Sequence, residues 1–109
     1  MADSDRQTAD RRRQQSELYG ASVDVLTQRI GQHIGLQPRD VARTIGVSFP
    51  MFTEVLAGRR VRIGNPVAIS RLGMLRDFAG TLESGESDRA DIELTLAQIR
   101  ASTLAPGPA

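Results

Sequence analysis

The chain has 109 residues, 39% of them hydrophobic and 25% charged, which suits one small domain and leaves no room for a separate ligand-binding domain. Its formal net charge of +1 indicates no particular partner, and the absence of cysteine excludes disulfides and thiolate metal sites. Because no apolar run approaches the ~20 residues that a membrane span needs, and the start of the chain has no signal-peptide core, we expect a cytoplasmic protein without a membrane partner.

The N-terminal segment, residues 1–17, is polar, with RRRQQ at 11–15 and no apolar stripe before Leu18. This composition predicts a flexible polar arm that is helical only towards its end. Two roles are open for the three arginines at 11–13. They can belong to an arm that reaches into the minor groove of DNA, or to a charged segment that is simply solvated.

The next segment, residues 18–82, contains the signals of four helices. Apolar residues at helical spacing over 19–34 predict the first helix, which ends at Gly35. Pro38 suits the first turn of the second helix, where its missing N–H costs nothing. Gly46 ends that helix after about two turns.

A serine and an asparagine mark the starts of the third and fourth helices. Ser48 is a good N-cap for the third helix, which Gly58 ends. The sequence RRVRIGNP at 59–66 predicts a loop by its Gly and Asn-Pro content. Asn65 caps the fourth helix, with the following proline at its first position.

The C-terminal segment, residues 83–103, begins with a polar break at 83–88 and continues as a fifth helix from about Asp88 to Ser102. The tail at 104–109 is predicted to be disordered by its composition. The fifth helix carries an apolar stripe of Ile92, Leu96 and Ile99. This stripe can pack within the chain, form a homodimer interface, or do both.

The second and third helices fit the pattern of a helix-turn-helix at about 38–57. The pattern needs a small residue where the helices cross, a glycine in the turn, an apolar residue after it, and two apolar anchors three apart. These positions are filled by Ala42, Gly46, Val47, Phe52 and Val55. Because the chain has no strand-like alternation, we predict an all-α, compact five-helix bundle. The helix-turn-helix predicts that residues 18–82 of this bundle bind DNA.

The stretches DVARTIGVS (40–48) and FTEVLAGRR (52–60) resemble the helix-turn-helix of the lambda-repressor-like superfamily, which includes phage Cro and repressor proteins. The residues of these two stretches are most similar to the lactose-repressor branch, and the resemblance covers roughly residues 23–80. It implies a compact helical bundle whose third helix lies in the major groove of DNA. Family members commonly begin the second helix with Ser or Thr followed by Gln, where this chain has Gln37 and Pro38.

The outer face of the third helix is expected to meet base edges and phosphates. Its candidate residues are Ser48, Phe49, Pro50, Thr53 and Glu54. Thr53 can bond a phosphate or pack its methyl group on thymine, Glu54 can accept from cytosine N4, and Phe49 and Pro50 can contact thymine methyl groups. No Arg, Asn or Gln is present in this helix to make a bidentate base contact, so readout should depend on apolar and shape contacts.

Arginines cluster around the predicted helix-turn-helix. Segment 37–62 has a net charge of +3, against −2 for segment 63–109, which can mark a side that faces a polyanion. The candidates for phosphate contacts are Gln37, Arg39 and Arg43 on the second helix, and Arg59, Arg60 and Arg62 after the third. The alternatives are a solvated surface loop for the last three and a helix cap for Gln37.

These features predict a sequence-specific transcriptional regulator of the Cro/repressor type that binds double-stranded DNA, as a homodimer. We expect no enzyme activity, no cofactor and no metal site, because the single histidine, His33, has no cysteine or second histidine to join it. The alternative is a protein-interaction module, antitoxin-like or binding a sigma factor or another regulator, which uses a surface of Phe49, Pro50 and Met51.

Overall fold

Six α-helices account for most of residues 2–104, the part of the chain that the computed structural model describes. The helices are Ala2–Tyr19 (α1), Val23–His33 (α2), Pro38–Ile45 (α3), Phe49–Leu56 (α4), Pro66–Ser84 (α5) and Ile92–Ala101 (α6), with a short 3-10 helix at Arg89–Asp91. Helix makes up 74% of the structure and these residues contain no β-strand, so the prediction of an all-α fold is confirmed.

The N-terminal segment differs most from its prediction, because residues 2–19 form a helix, α1, instead of a flexible arm. The reason is that α1 buries the amide of Gln15 and, one helical turn later, the ring of Tyr19, which belongs to the core. Residues 20–22 form a bend, so α2 begins at Val23, and Tyr19 belongs to the preceding helix. The bundle therefore has six helices where five were expected.

The turn between α3 and α4 has the local structure that its residues predict. Gly46 ends α3 with a φ of 90°, in the left-handed region that a residue with a Cβ atom adopts only at a cost. The hydroxyl of Ser48 accepts a hydrogen bond from the backbone N–H of Met51 at 3.3 Å and so caps the start of α4. The helix α3 ends at Gly46 as predicted, and α4 ends at Leu56, two residues before the predicted Gly58.

The core lies around α5, which packs against α2, α3 and α6. Asn65 starts α5 by accepting from the backbone N–H groups of Val67 and Ala68, as its position predicts. The largest apolar side chains that are almost fully buried are Leu26, Ile30, Ile45, Phe52, Leu72 and Leu75. None of the helices described here has an apolar stretch long enough to cross a bilayer.

The C-terminal helix is shorter than predicted, and its apolar stripe is used within the chain. Asp88 accepts from the N–H of Ala90 and forms the tight start of the 3-10 helix, so α6 begins only at Ile92. Leu96 and Ile99 are buried where α6 packs on α3 and α5, which agrees with the predicted packing of this stripe within the chain. Of the predicted tail, only Leu104 lies within the described residues, and it is exposed.

Candidate nucleic-acid interface

The outer face of α4, defined here as Ser48, Pro50, Thr53 and Glu54, is turned away from the core. Phe52 and Val55 on the opposite side of α4 are fully buried. Ser48, Pro50 and Glu54 are exposed, and Thr53 is half-buried. The hydrophobic spacing of this short helix therefore places its polar residues together on the surface.

Phe49 and Met51, at the start of α4, are half-buried and pack against the core. The guanidinium of Arg39, on α3, lies 5.2 Å from the centroid of the Phe49 ring, within the range of a cation–π interaction. The Phe49 ring is thus shared between the core and Arg39. Of Phe49, Pro50 and Met51, which would form the surface of the alternative protein-interaction module, only Pro50 is exposed.

The hydroxyl groups on the outer face of α4 differ in what they can donate. Thr53 donates its hydroxyl hydrogen to the backbone carbonyl of Pro50 at 2.7 Å, so its methyl group is the part left for a base contact. The Ser48 hydroxyl accepts the capping bond from Met51, and its own hydrogen remains available for a phosphate oxygen.

Glu54 and Arg59 form an ion pair across the end of α4. Arg59 Nε lies 2.6 Å from Glu54 Oε2, and Arg59 Nη2 lies 3.4 Å from Glu54 Oε1. The side chains are 48% and 61% exposed, respectively, so the pair stands at the surface. The hydrogen bond from Arg59 lowers the pKa of Glu54 below its ordinary value, and the same bond raises the pKa of Arg59. Any contact of Glu54 with cytosine must therefore compete with Arg59.

The arginine loop, residues 59–62, continues directly from this pair. Arg60 Nε donates to the backbone carbonyl of Arg62 at 2.8 Å, which leaves the four N–H donors of its two terminal nitrogens for other partners. Arg60 and Arg62 are both exposed, as predicted for residues that contact phosphates.

The predicted contacts on α3 are also at the surface. Arg39 and Arg43 are exposed. Gln37 is exposed as well, and its backbone N–H donates to Asp40 Oδ2 at 3.2 Å at the start of α3. This bond supports the start of the helix, and a phosphate contact by the Gln37 side chain stays a prediction.

Gln15, on α1, is fully buried and connects three parts of the chain. Its Nε2 donates to the carbonyls of Val55 and Arg60, both at 2.9 Å, and its Oε1 accepts from the N–H of Val23 at 3.0 Å. This side chain therefore binds the end of α4, the arginine loop and the start of α2 together. All its hydrogen-bonding groups are used, as burial of an amide requires.

Two arginines of α1 support the same end of α4. Arg11 Nε donates to the carbonyl of Gly58 at 2.5 Å, and an Arg12 Nη atom donates to the carbonyl of Leu56 at 3.2 Å. The last carbonyls of a helix lack partners within it and carry its negative dipole end, so cations are favourable there. Arg11 and Arg12 thus lie on a folded helix and not on a flexible arm, and a contact of the arginines at 11–13 with the minor groove stays a prediction.

The polar composition of α1 does not single out Gln15, Arg11 and Arg12 as structural residues. The signal that could have revealed them is helical spacing among polar residues, since Arg11, Gln15 and Tyr19 follow one another at intervals of four. Their common face is the buried or half-buried side of α1.

His33 stays a solitary histidine in the fold. Its Nε2 lies 3.5 Å from Glu83 Oε2, at the ends of α2 and α5. Within residues 2–104, no three His, Asp or Glu side chains come together in a group that could hold a metal ion.

No protein-family model matches this chain, and neither a curated protein nor a solved structure does. The surface formed by α3, α4 and the arginine loop is therefore what supports an inference about function.

Proposed function

We propose that this chain is a sequence-specific, DNA-binding transcriptional regulator of the helix-turn-helix type. In this proposal α4 enters the major groove, and Arg60 and Arg62 of the arginine loop bind phosphates. The observation that carries the proposal is that arginines lie at both ends of the outer face of α4. Arg39 stands over Phe49 at its start, and the exposed Arg60 and Arg62 follow its end.

The dimensions of α4 agree with this arrangement. An α-helix with its side chains is about 10–12 Å in diameter, which fits the ~12 Å width of the major groove. Phosphates run along both rims of that groove, so cations near the ends of a helix that lies in it can contact the backbone of DNA. The resemblance of residues 40–48 and 52–60 to the lambda-repressor-like superfamily supports the same orientation.

We further propose that the protein acts on DNA as a homodimer, because helix-turn-helix modules usually bind two half-sites. Leu96 and Ile99 of the apolar stripe of α6 are buried in their own chain, so a second copy must contact other residues. Leu94, which is 64% exposed on another side of α6, is an apolar residue that such a contact could cover.

The alternative, a protein-interaction module that uses Phe49, Pro50 and Met51, has less support. Two of these three side chains are half-buried against the core, which leaves little apolar surface for a partner. This alternative is retained as an outcome of the experiment below.

The test is binding to duplex DNA measured over a range of salt concentrations. We expect wild type to bind with a steep negative slope of log K against log salt, because phosphate contacts release counterions. Arg60→Ala and Arg62→Ala should each reduce the magnitude of that slope by about 0.9, the value for one phosphate contact. Arg89→Ala removes an exposed arginine of the 3-10 helix and should leave the slope unchanged.

Two results would reject the proposal. Failure of wild type to bind any duplex at low salt would favour the protein-interaction module. An equal loss of slope in Arg89→Ala and Arg60→Ala would mean that binding follows the total charge and not the arginine loop.

A further inference from the structure

Arg59 presents a two-pronged donor to solvent, because Glu54 occupies one edge of its guanidinium. The bonds to Glu54 use Nε and one hydrogen of Nη2. A guanidinium has five N–H donors, so three remain, and two of them lie side by side on the terminal edge formed by Nη1 and Nη2. The pairing with Glu54 thus fixes the direction of this edge while leaving it open.

We propose that Arg59, oriented by Glu54, binds a guanine in the major groove, and that it is a base-reading residue and not a phosphate contact. This inference depends on the proposed function. Guanine presents two acceptors in the major groove, N7 and O6, and a pair of parallel N–H donors from arginine is the commonest group that recognises them.

Glu54 is the reason for choosing the base over the backbone. The ion pair has no net charge, so it gains little from the phosphates, and the carboxylate is repelled by them. Arg60 and Arg62 have no acidic partner among the described residues and are better suited to that role. Hydrogen bonds to the edge of a base depend more on the direction of the donors than on their net charge. An arginine that is already held by a carboxylate also loses less side-chain entropy when it binds.

Helix position agrees with the same assignment. Glu54 follows Pro50 by one turn on the outer face of α4, the face that the proposed function directs into the groove. Arg59 lies beyond the end of α4 but is brought to this face by its bond to Glu54. It thereby supplies the bidentate reader that α4 itself lacks.

The test is selection of bound sequences from a random duplex pool, carried out with wild type and four variants. Arg59→Ala removes the reader, Arg59→Lys keeps its charge but not its paired donors, and Glu54→Gln removes the carboxylate that orients it. Arg62→Ala serves as a phosphate-contact control. Thermal unfolding of each variant should stay close to that of wild type, because these side chains are exposed at the surface.

We expect wild type to select a G·C pair at one position of its site. In Arg59→Ala and Arg59→Lys, the ratio of affinities for G·C over the other base pairs at that position should fall by roughly 5- to 150-fold, the discrimination of one good bidentate contact. Glu54→Gln should weaken the preference at the same position without lowering affinity for random DNA, because it removes a negative charge. Arg62→Ala should lower the affinity for all sequences and keep the preference.

The remaining outcomes overturn the inference in distinguishable ways. If wild type selects a site and all variants select the same one, Arg59 is not a reader, and the proposed function stands. If Arg59→Ala weakens binding to every sequence equally, Arg59 is a phosphate contact. A cytosine preference that is lost in Glu54→Gln but kept in Arg59→Ala assigns the reading to Glu54. If wild type binds no duplex at all, both this inference and the proposed function fail.

Discussion

Gln15→Glu is expected to destabilise the protein by roughly 3 kcal/mol or more at neutral pH, because each buried polar group left without a partner costs about 1–3 kcal/mol. The substitution replaces a donor to the carbonyls of Val55 and Arg60 with a carboxylate oxygen that can only repel them. The side chain is fully buried, so water cannot compensate. Gln14→Glu makes the same chemical change at the exposed neighbouring position and should have little effect.

The loss of stability in Gln15→Glu should depend on pH. Burial against two carbonyl oxygens raises the pKa of the introduced carboxyl group, and the protonated form can again donate one hydrogen bond. Because the folded state then holds the proton more tightly than the unfolded state, the variant is most stable below the ordinary glutamate pKa of about 4.3 and loses stability as pH rises through the raised value.

Urea unfolding of wild type and both variants at low and neutral pH measures these free energies. A Gln15→Glu variant as stable at neutral pH as Gln14→Glu would show that Gln15 does not connect α1 to the end of α4.

Gly58→Ala is expected to destabilise the protein more than Gly35→Ala. Both glycines have a positive φ, 72° and 92°, so both substitutions incur the cost of about 1–2 kcal/mol of a left-handed residue with a Cβ atom. At Gly58 the new Cβ would also lie 2.8 Å from Thr8 Cγ2 and 3.2 Å from Arg12 Nε, whereas nothing lies within 4 Å at Gly35. This crowding should add about 1–3 kcal/mol.

A double variant separates the two costs at Gly58. Thr8→Ala removes the nearest atom, so Gly58→Ala combined with Thr8→Ala should recover part of the additional loss. The free energies of unfolding of wild type, Gly58→Ala, Thr8→Ala and the double variant give the comparison. Equal losses in Gly58→Ala and Gly35→Ala would mean that α1 does not press closely on the end of α4.

These two variants test one property of the fold, the support of the candidate DNA surface by the N-terminal helix. Gln15 holds the carbonyl of Arg60, so the backbone of the arginine loop is attached to α1. Arg11 and Arg12 bind the carbonyls of Gly58 and Leu56 on either side of the turn. The helix α1 thus sets the position of the arginine loop, whose residues are predicted to contact DNA.

The helix boundaries around the turn could be predicted because their signals are local. Pro38, Gly46 and Ser48 each favour one backbone state through their own chemistry, and that state is found in the fold. The apolar spacing of α4 likewise predicted which of its sides faces the core.

The structure of α1 could not be predicted from the same signals. Its attachment depends on an amide and on guanidinium groups that bind backbone carbonyls 40 or more positions further along the chain. Hydrophobic periodicity does not detect such residues, and the polar composition of the segment predicts a flexible arm instead.

The ion pair between Glu54 and Arg59 in the candidate site could not be predicted from the sequence either. Glu54 and Arg59 are five positions apart with the end of a helix between them, a separation at which helical spacing no longer relates two side chains. The burial of Phe49 depends in turn on the core packing beneath it and on Arg39 from the neighbouring helix.

The central claim is that the surface of residues 37–62 binds DNA. Its most direct test follows the backbone amide signals of the protein by NMR as a duplex of random sequence is added at low salt. We predict that the largest changes occur on the outer face of α4 and in the arginine loop, with small changes over residues 63–104. An unchanged spectrum, or changes concentrated in residues 63–104, would contradict the account.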